Sequence, residues 1–179
     1  KTGLITTAGF RDILEMRRRD RPEIWGLRGS YTPVIPRDMR LEVDERVLAN
    51  GSVRTLVDID AVSKAAADLL ATGAEALAIV FVNSYANPEN ERAAYEAAKA
   101  VWPNEHITVS SEILPELREF ERASTTALNA TLQPVIGRYL QNLETSLIDA
   151  GFEGDILIVQ SNGGVMSVDT AREIPVRTA

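Results

Sequence analysis

The sequence predicts an α/β protein built from parallel-stranded βαβ units with an added β-hairpin, and three observations carry that reading. The runs Ala76 to Val82 (ALAIVFV) and Asp155 to Gln160 (DILIVQ) are almost continuously apolar, as strands covered on both faces are. Stretches of helical spacing alternate with these runs, which implies parallel strands joined by right-handed crossovers. Between Leu41 and Val57 two short alternating segments flank Asn50-Gly51, a pair that tolerates the positive φ of a tight hairpin turn.

The elements follow in order. Leu4 to Thr6 reads as a strand, and Gly9 to Arg19 as a helix with Phe10, Ile13, Leu14 and Met16 apolar among charges. From Asp20 to Asp38 the pattern breaks at Pro22, Pro33, Pro36, Gly26 and Gly29, an irregular crossing segment that Trp25 and Tyr31 are expected to pin. In the hairpin Leu41, Val43 and Val47 alternate with Glu42, Asp44 and Arg46, and Val53, Leu56 and Val57 return. Asp60 is placed to cap a helix reaching Thr72, with Val62, Ala66, Leu69 and Leu70 inward and Gly73 as its stop. After the Ala76 strand, Asn87-Pro88 caps a helix ending near Val101, and Ile107 to Ser110 forms another strand. Glu119 to Ala150 is strongly helical, with Leu128, Leu132, Val135, Tyr139, Leu143 and Leu147 recurring and a kink or restart expected at Pro134. The DILIVQ run is then a third buried strand, followed by the turn Ser161-Asn162-Gly163-Gly164.

Bulk properties narrow the function. The 179 residues suffice for one domain, or one domain plus part of another. Without cysteine, and with His106 as the one histidine, thiolate chemistry, disulfides and a zinc site of several histidines are excluded. A formal charge of −7 argues against nucleic acid as partner. The basic run Arg17, Arg18, Arg19 and Arg21 closes a predicted helix, where cations suit exposed carbonyls. No stretch approaches the ~18 apolar residues of a membrane span, and Thr2, Thr6 and Thr7 rule out a signal-peptide pattern at Lys1. The expected address is cytoplasmic. Lys1 opens directly in a strand-like run and the chain stops in mid-phrase at Ala179, so a segment of a longer protein is expected.

Ligands gather beyond the carboxyl ends of strands in open α/β sheets. Three segments have that position: Thr6 to Asp12, Asn83 to Pro88, and Gln160 to Gly164. In the last, Gly163 and Gly164 permit a tight turn whose N–H groups can face an anion, and Asn162 adds an amide. The plainer reading is a turn that satisfies its own backbone, and the pattern matches neither the Walker A nor the dinucleotide fingerprint. A second constellation is Glu121, Thr125 and Asn129, spaced four apart on one helical face, beside Arg122, Ser124 and Thr126. Against a ligand role stands a polar helix start with local ion pairs. Glu112, Glu116, Glu119 and Glu121 are numerous enough for a paired acid and base, yet the helix dipole alone favours acids there.

Six phrases in order, GLITTAGFRDILE, IPRDMRLEVDERV, SYANPENE, SSEILPELREFERASTTALNATLQPVIGRYL, QSNGGVM and PVRT, resemble the A-type subunit of the hydantoinase/oxoprolinase family. Asn90 departs from the family pattern, which often has His before the Glu, so no ligand role is carried over to it. The resemblance implies part of an actin-like ATPase (ribonuclease H-like) fold: residues 1–38 as the end of a first lobe with the crossing segment, residues 39–179 as a hairpin linker and the opening of the second lobe. It implies ATP-dependent opening of a cyclic amide, a hydantoin or 5-oxoproline, in the whole protein, with ATP and Mg²⁺ as cofactors and a B-type subunit or domain as partner. The acidic, glycine-rich nucleotide loops of the family are missing from these residues, so this segment alone is expected to be inactive. Asn162, Gly163 and Gly164 are implied near phosphate or substrate. Arg122, Ser124, Thr125 and Asn129 are implied to contact substrate or to position a neighbouring loop, and catalytic residues stay unassigned. Competing readings are a subunit of an ATP-dependent acetone or acetophenone carboxylase, and a non-catalytic binding module.

Overall fold

The computed structural model describes residues 1–17 and 31–178. The arginines at 18, 19 and 21 and Trp25 lie outside the described residues. Strand β1 (Thr2–Thr7) leads through a turn at Gly9 into a one-turn helix α1 (Ile13–Met16). Then come β2 (Arg40–Val43), the two short strands β3 (Arg46–Val47) and β4 (Val53–Thr55), helix α2 (Ile59–Ala71) and strand β5 (Ala76–Val80). Helix α3 (Glu89–Lys99) precedes β6 (Ile107–Val109), the short α4 (Ser110–Ile113) and the long α5 (Glu119–Asp149). Strands β7 (Leu157–Val159) and β8 (Val165–Ser167), helix α6 (Val168–Glu173) and a 3₁₀ turn at Pro175–Arg177 complete the described chain.

Strands β2, β1, β5 and β6 form one sheet in that order, and every neighbouring pair is parallel. All four carboxyl ends therefore share one edge. Adjacent residues of β1 show how the sheet is covered. The Thr2 hydroxyl meets that of Thr131 on α5 at 3.0 Å, whereas a Cβ on Gly3 would meet Leu69 of α2 at 2.8 Å. Successive strand residues point to opposite faces, so α2 and α5 lie on opposite sides. The sheet thus becomes the middle of three layers, and Leu4, Ile5, Leu77 and Ile79 are fully buried. Each such side chain contributes about 1.5–3 kcal/mol relative to exposure. This sheet runs across residue 38, since β1 before it pairs with β2 and β5 after it.

Several expectations need correction. The stretch from Gly9 is helical only over Ile13–Met16 among the described residues, because Gly9 at φ 87° turns the chain first. Leu41 and Val43 belong to parallel β2; the hairpin about Asn50-Gly51 is formed by β3 and β4 alone. Asp58, not Asp60, caps α2, its carboxylate accepting from Asp60 N–H and Ala61 N–H at 3.1 and 3.0 Å. Helix α5 continues through Pro134 without a restart. Its buried face is Ala123, Ala127 and Ala130 with Arg122, Thr126, Asn129 and Gln133, while Leu128, Val135 and Tyr139 are exposed. Alanines every three or four residues let the helix lie close on β5 and β6.

The run DILIVQ is not a third buried parallel strand. Its strand β7 pairs antiparallel with β8 in a separate two-stranded sheet, and Leu157, Val159 and Val165 are exposed. Length explains this. At ~1.5 Å per residue the 31 residues of α5 cover ~46 Å, whereas five-residue β5 covers ~17 Å. The chain leaving α5 has passed beyond the parallel sheet, and its nearest partner is the strand that follows it. The hairpin packs instead on the second half of α5, where Leu140 joins Met166, Val168 and Ala171.

Candidate functional site

At the carboxyl edge of the sheet the backbone leaves β5 through Phe81 and Val82, and two buried charges grip that exit. Glu91 on α3 accepts from Phe81 N–H at 2.7 Å and from the Ser110 hydroxyl at 2.6 Å, and its other oxygen accepts from Ser111 N–H at 2.9 Å. Arg122 on α5 donates from Nη2 to Phe81 O at 2.9 Å and from Nη1 to Glu116 O at 2.6 Å. Glu91 and Arg122 are both fully buried. They hold the two polar groups of one residue from opposite sides, which fixes the strand end and the loop after it. Burial lowers the Arg122 guanidinium below its ordinary basicity, with Glu91 opposing. The guanidinium also sits 5.7 Å from the Tyr85 ring centre, within cation–π range.

A second network joins β1 to the hairpin. The Thr7 hydroxyl accepts from Val82 N–H at 2.9 Å and donates to Glu45, whose other oxygen accepts from Asn90 Nδ2 at 2.7 Å. Glu45 is buried with only neutral partners bonded to it. Burial raises its carboxyl above the ordinary glutamate value, and the bonds from Thr7 and Asn90 pull the other way. The folded protein then keeps this proton at pH values where the unfolded chain has lost it, so stability falls as pH rises through the raised value. We expect Glu45→Gln to flatten that slope in melting curves taken at about pH 5 and about pH 7.5; parallel curves for the two proteins contradict this.

The sequence-predicted residues fall into two groups. Arg122 and Asn129 are buried braces. The Asn129 amide donates to Thr108 Oγ1 and to Glu173 O, both at 3.1 Å, and its oxygen accepts from Val176 N–H at 3.2 Å. Thr125 is half-buried. The Ser124 hydroxyl, with the Ser111 hydroxyl and Arg122 Nε, is buried without a hydrogen-bond partner among the described residues. Asn162, Gly163 and Gly164 form the exposed tip of the β7–β8 hairpin. There Gly164 N–H bonds Asn162 Oδ1 at 2.9 Å and Gly163 N–H bonds Gln160 O at 2.9 Å, with Gly163 at φ 86°. The groups meet through the Pro175–Arg177 turn, where Asn129 holds Val176 N–H and Ser161 N–H bonds Arg177 O at 3.0 Å.

Sequence reasoning missed Glu45, Asn90 and Glu91 as parts of this edge. For Glu91 a signal existed. It shares a helical face with Ala94 and Ala98, three and seven residues on, the face that is buried. The turns after β1 and at the tip of the β7–β8 hairpin carry the backbone N–H groups that could face a phosphate. The Gly9 and Arg11 N–H groups are already taken by the Glu42 carboxylate at 2.8 and 3.3 Å, and the Gly163-Gly164 amides bond within their own turn. Among the described residues no group of three acids or histidines is placed to hold a metal ion. These backbone N–H groups of both turns are thus already paired within the chain.

Residues 1–102 match the hydantoinase/oxoprolinase N-terminal region, and residues 122–179 match the hydantoinase/oxoprolinase model. The chain belongs to the hydantoinase/oxoprolinase family. An uncharacterized protein of Methanocaldococcus jannaschii is 39% identical over 98% of this chain and 26% of its own length. The caprolactamase alpha subunit of Pseudomonas jessenii is 32% identical over 97% of the chain and 25% of its own length. A 5-oxoprolinase of Dictyostelium discoideum is 28% identical over 96% of the chain and 15% of its own length. The crystal structure of the ATP-dependent Pseudomonas caprolactamase superposes with a TM-score of 0.84 at 29% identity, covering 98% of this chain and 27% of that one. A nucleotide-free acetone carboxylase superposes at 0.79 with 24% identity, over 99% and 27%, and shows the shared fold. The chain thus spans about a quarter of the length of the first of these relatives.

Proposed function

We propose that this family member serves an ATP-dependent hydrolase that opens a cyclic amide of the hydantoin or 5-oxoproline type. The observation that carries the reading is the 32% identity to a caprolactamase alpha subunit along nearly the whole chain. The nucleotide and its metal belong to the whole protein, and a B-type subunit or domain completes it, in the cytoplasm. Residues 39–179 open a second lobe of an actin-like fold and residues 1–38 end the first; that division has to accommodate the sheet shared across it. In this reading Asn162, Gly163 and Gly164 approach phosphate or substrate, for which their exposed position leaves room.

The geometry favours positioning for Arg122 and Asn129, whose polar groups hold the β5 exit and the 173–176 segment. Half-buried Thr125 is left for direct contact, and Ser124, whose hydroxyl is buried, for positioning a neighbouring loop. Ketone carboxylation is the second reading, since an acetone carboxylase has the same fold. The test is ADP release by the whole protein with 5-oxoproline, N-methylhydantoin or caprolactam, against acetophenone with bicarbonate. Stimulation by a cyclic amide supports the hydrolase; stimulation by the ketone alone moves the protein to the carboxylases.

A further inference from the structure

The β3–β4 hairpin forms a sheet of its own, and among the described residues it is not paired with the parallel sheet. A two-stranded hairpin is marginal in water, so something else must seat it. Buried Val47 and Val57 supply the apolar part, and three asparagines supply the polar part. Asn83 Nδ2 donates to Val47 O at 2.9 Å, Asn87 Nδ2 to Gly51 O at 2.9 Å, and Asn90 Nδ2 to Thr55 O at 2.9 Å. The acceptors recur every fourth residue, at the end of β3, in the turn and at the end of β4. Asn90 adds a fourth bond, its oxygen accepting from Val57 N–H at 3.2 Å.

The backbone is shaped to this purpose on both sides. Asn83 stands at φ 57°, a conformation that is uncommon outside glycine and that asparagine tolerates better than most. Gly51 stands at φ 82°, and a Cβ there would come within 3.2 Å of Ala86 O, so the turn lies directly on the 83–88 loop. Arg46 also reaches the loop after β1, 5.2 Å from the Phe10 ring centre. The hairpin therefore straddles the loops that leave β1 and β5.

We propose that Asn83, Asn87 and Asn90 form a docking strip that seats the hairpin beside the carboxyl ends of β1 and β5, and that residues 46–57 open as a unit while the parallel sheet stays closed. Use of this unit as a flap on the ligand cleft rests on the functional reading above; the strip itself does not. Side-chain bonds to a hairpin outside the parallel sheet break without disturbing that sheet's ladder, which is how a low-stability unit arises beside a rigid one.

Asn87→Asp tests the strip cleanly. It keeps the oxygen that caps Glu89 N–H at 2.9 Å and turns the donor facing Gly51 O into an acceptor. Hydrogen exchange across 46–57 should speed up about tenfold, with β1, β5 and α3 unchanged. Asn83→Gly, which adopts the same φ without strain and loses only the amide, should act alike. Unchanged exchange at 46–57 in both variants overturns the proposal, as does acceleration spread equally over β1 and β5. These readouts need no substrate, so they stand or fall apart from the chemistry. For the flap, MgATP with 5-oxoproline should slow exchange at 46–57 in the wild-type protein; unchanged exchange in a preparation that turns the amide over removes that role.

Discussion

Replacing Glu91 by alanine lowers stability by about 3–5 kcal/mol, measured by urea unfolding. Three donors, the Phe81 and Ser111 N–H groups and the Ser110 hydroxyl, lose their acceptor in a fully buried place. Arg122 loses the charge that most opposes the effect of its burial at the same time. Glu91→Gln is no rescue, because both carboxylate oxygens accept bonds and an amide NH₂ would face a donor on one side. It still costs about 1–3 kcal/mol. Arg122→Ala is expected to couple with Glu91→Ala, the double variant losing less than the sum, since both side chains hold the peptide groups of Phe81. Strict additivity would show that the two grips are independent. Because this residue pair fixes the exit of β5, the same variants should, on the proposed function, raise KM for the cyclic amide in the whole protein.

Arg40→Ala should cost about 3 kcal/mol, and the loss should be local. Arg40 is fully buried; it donates twice to Ile35 O, at 2.8 and 2.6 Å, once to Arg11 O at 3.1 Å, and pairs with Glu15. One guanidinium therefore ties the 31–39 segment to the loop that follows β1. Lysine offers one ammonium and cannot span three partners, so Arg40→Lys should recover little of the loss. Exchange should quicken at residues 9–16 and 35–40 before the rest of the sheet opens; uniform loosening of β5 and β6 would contradict this placement.

The parts of the fold that were legible in the sequence are those where one physical signal dominates. Ala76 to Val82 reads as a buried parallel strand because apolar residues leave no alternative, with the strand itself spanning Ala76–Val80, and Asn50-Gly51 reads as a turn because few other pairs accept that backbone. DILIVQ gave the same apolar signal as β5 and meant something else, since its partner depends on where a 31-residue helix delivers the chain. The buried face of α5 was not legible for a related reason. Leu128, Val135 and Tyr139 point outward while Ala123, Ala127 and Ala130 and braced polar groups pack inward on the sheet, and periodicity of large residues cannot show that. At the candidate site Arg122 and Asn129 were singled out for their spacing. Glu45 and Asn90 were not, because their meaning lies in contacts across 38 and 45 residues of chain.

The central claim is that the family membership of this chain extends to opening a cyclic amide at the expense of ATP. The most direct measurement is product analysis: the whole protein with MgATP and each of 5-oxoproline, N-methylhydantoin and caprolactam, scoring ring-opened acid and ADP together. We expect ring-opened product to appear in step with ADP for one of these amides, and Asn162→Ala to lower that turnover. ADP without any ring-opened product, or neither product from a folded preparation, would contradict it.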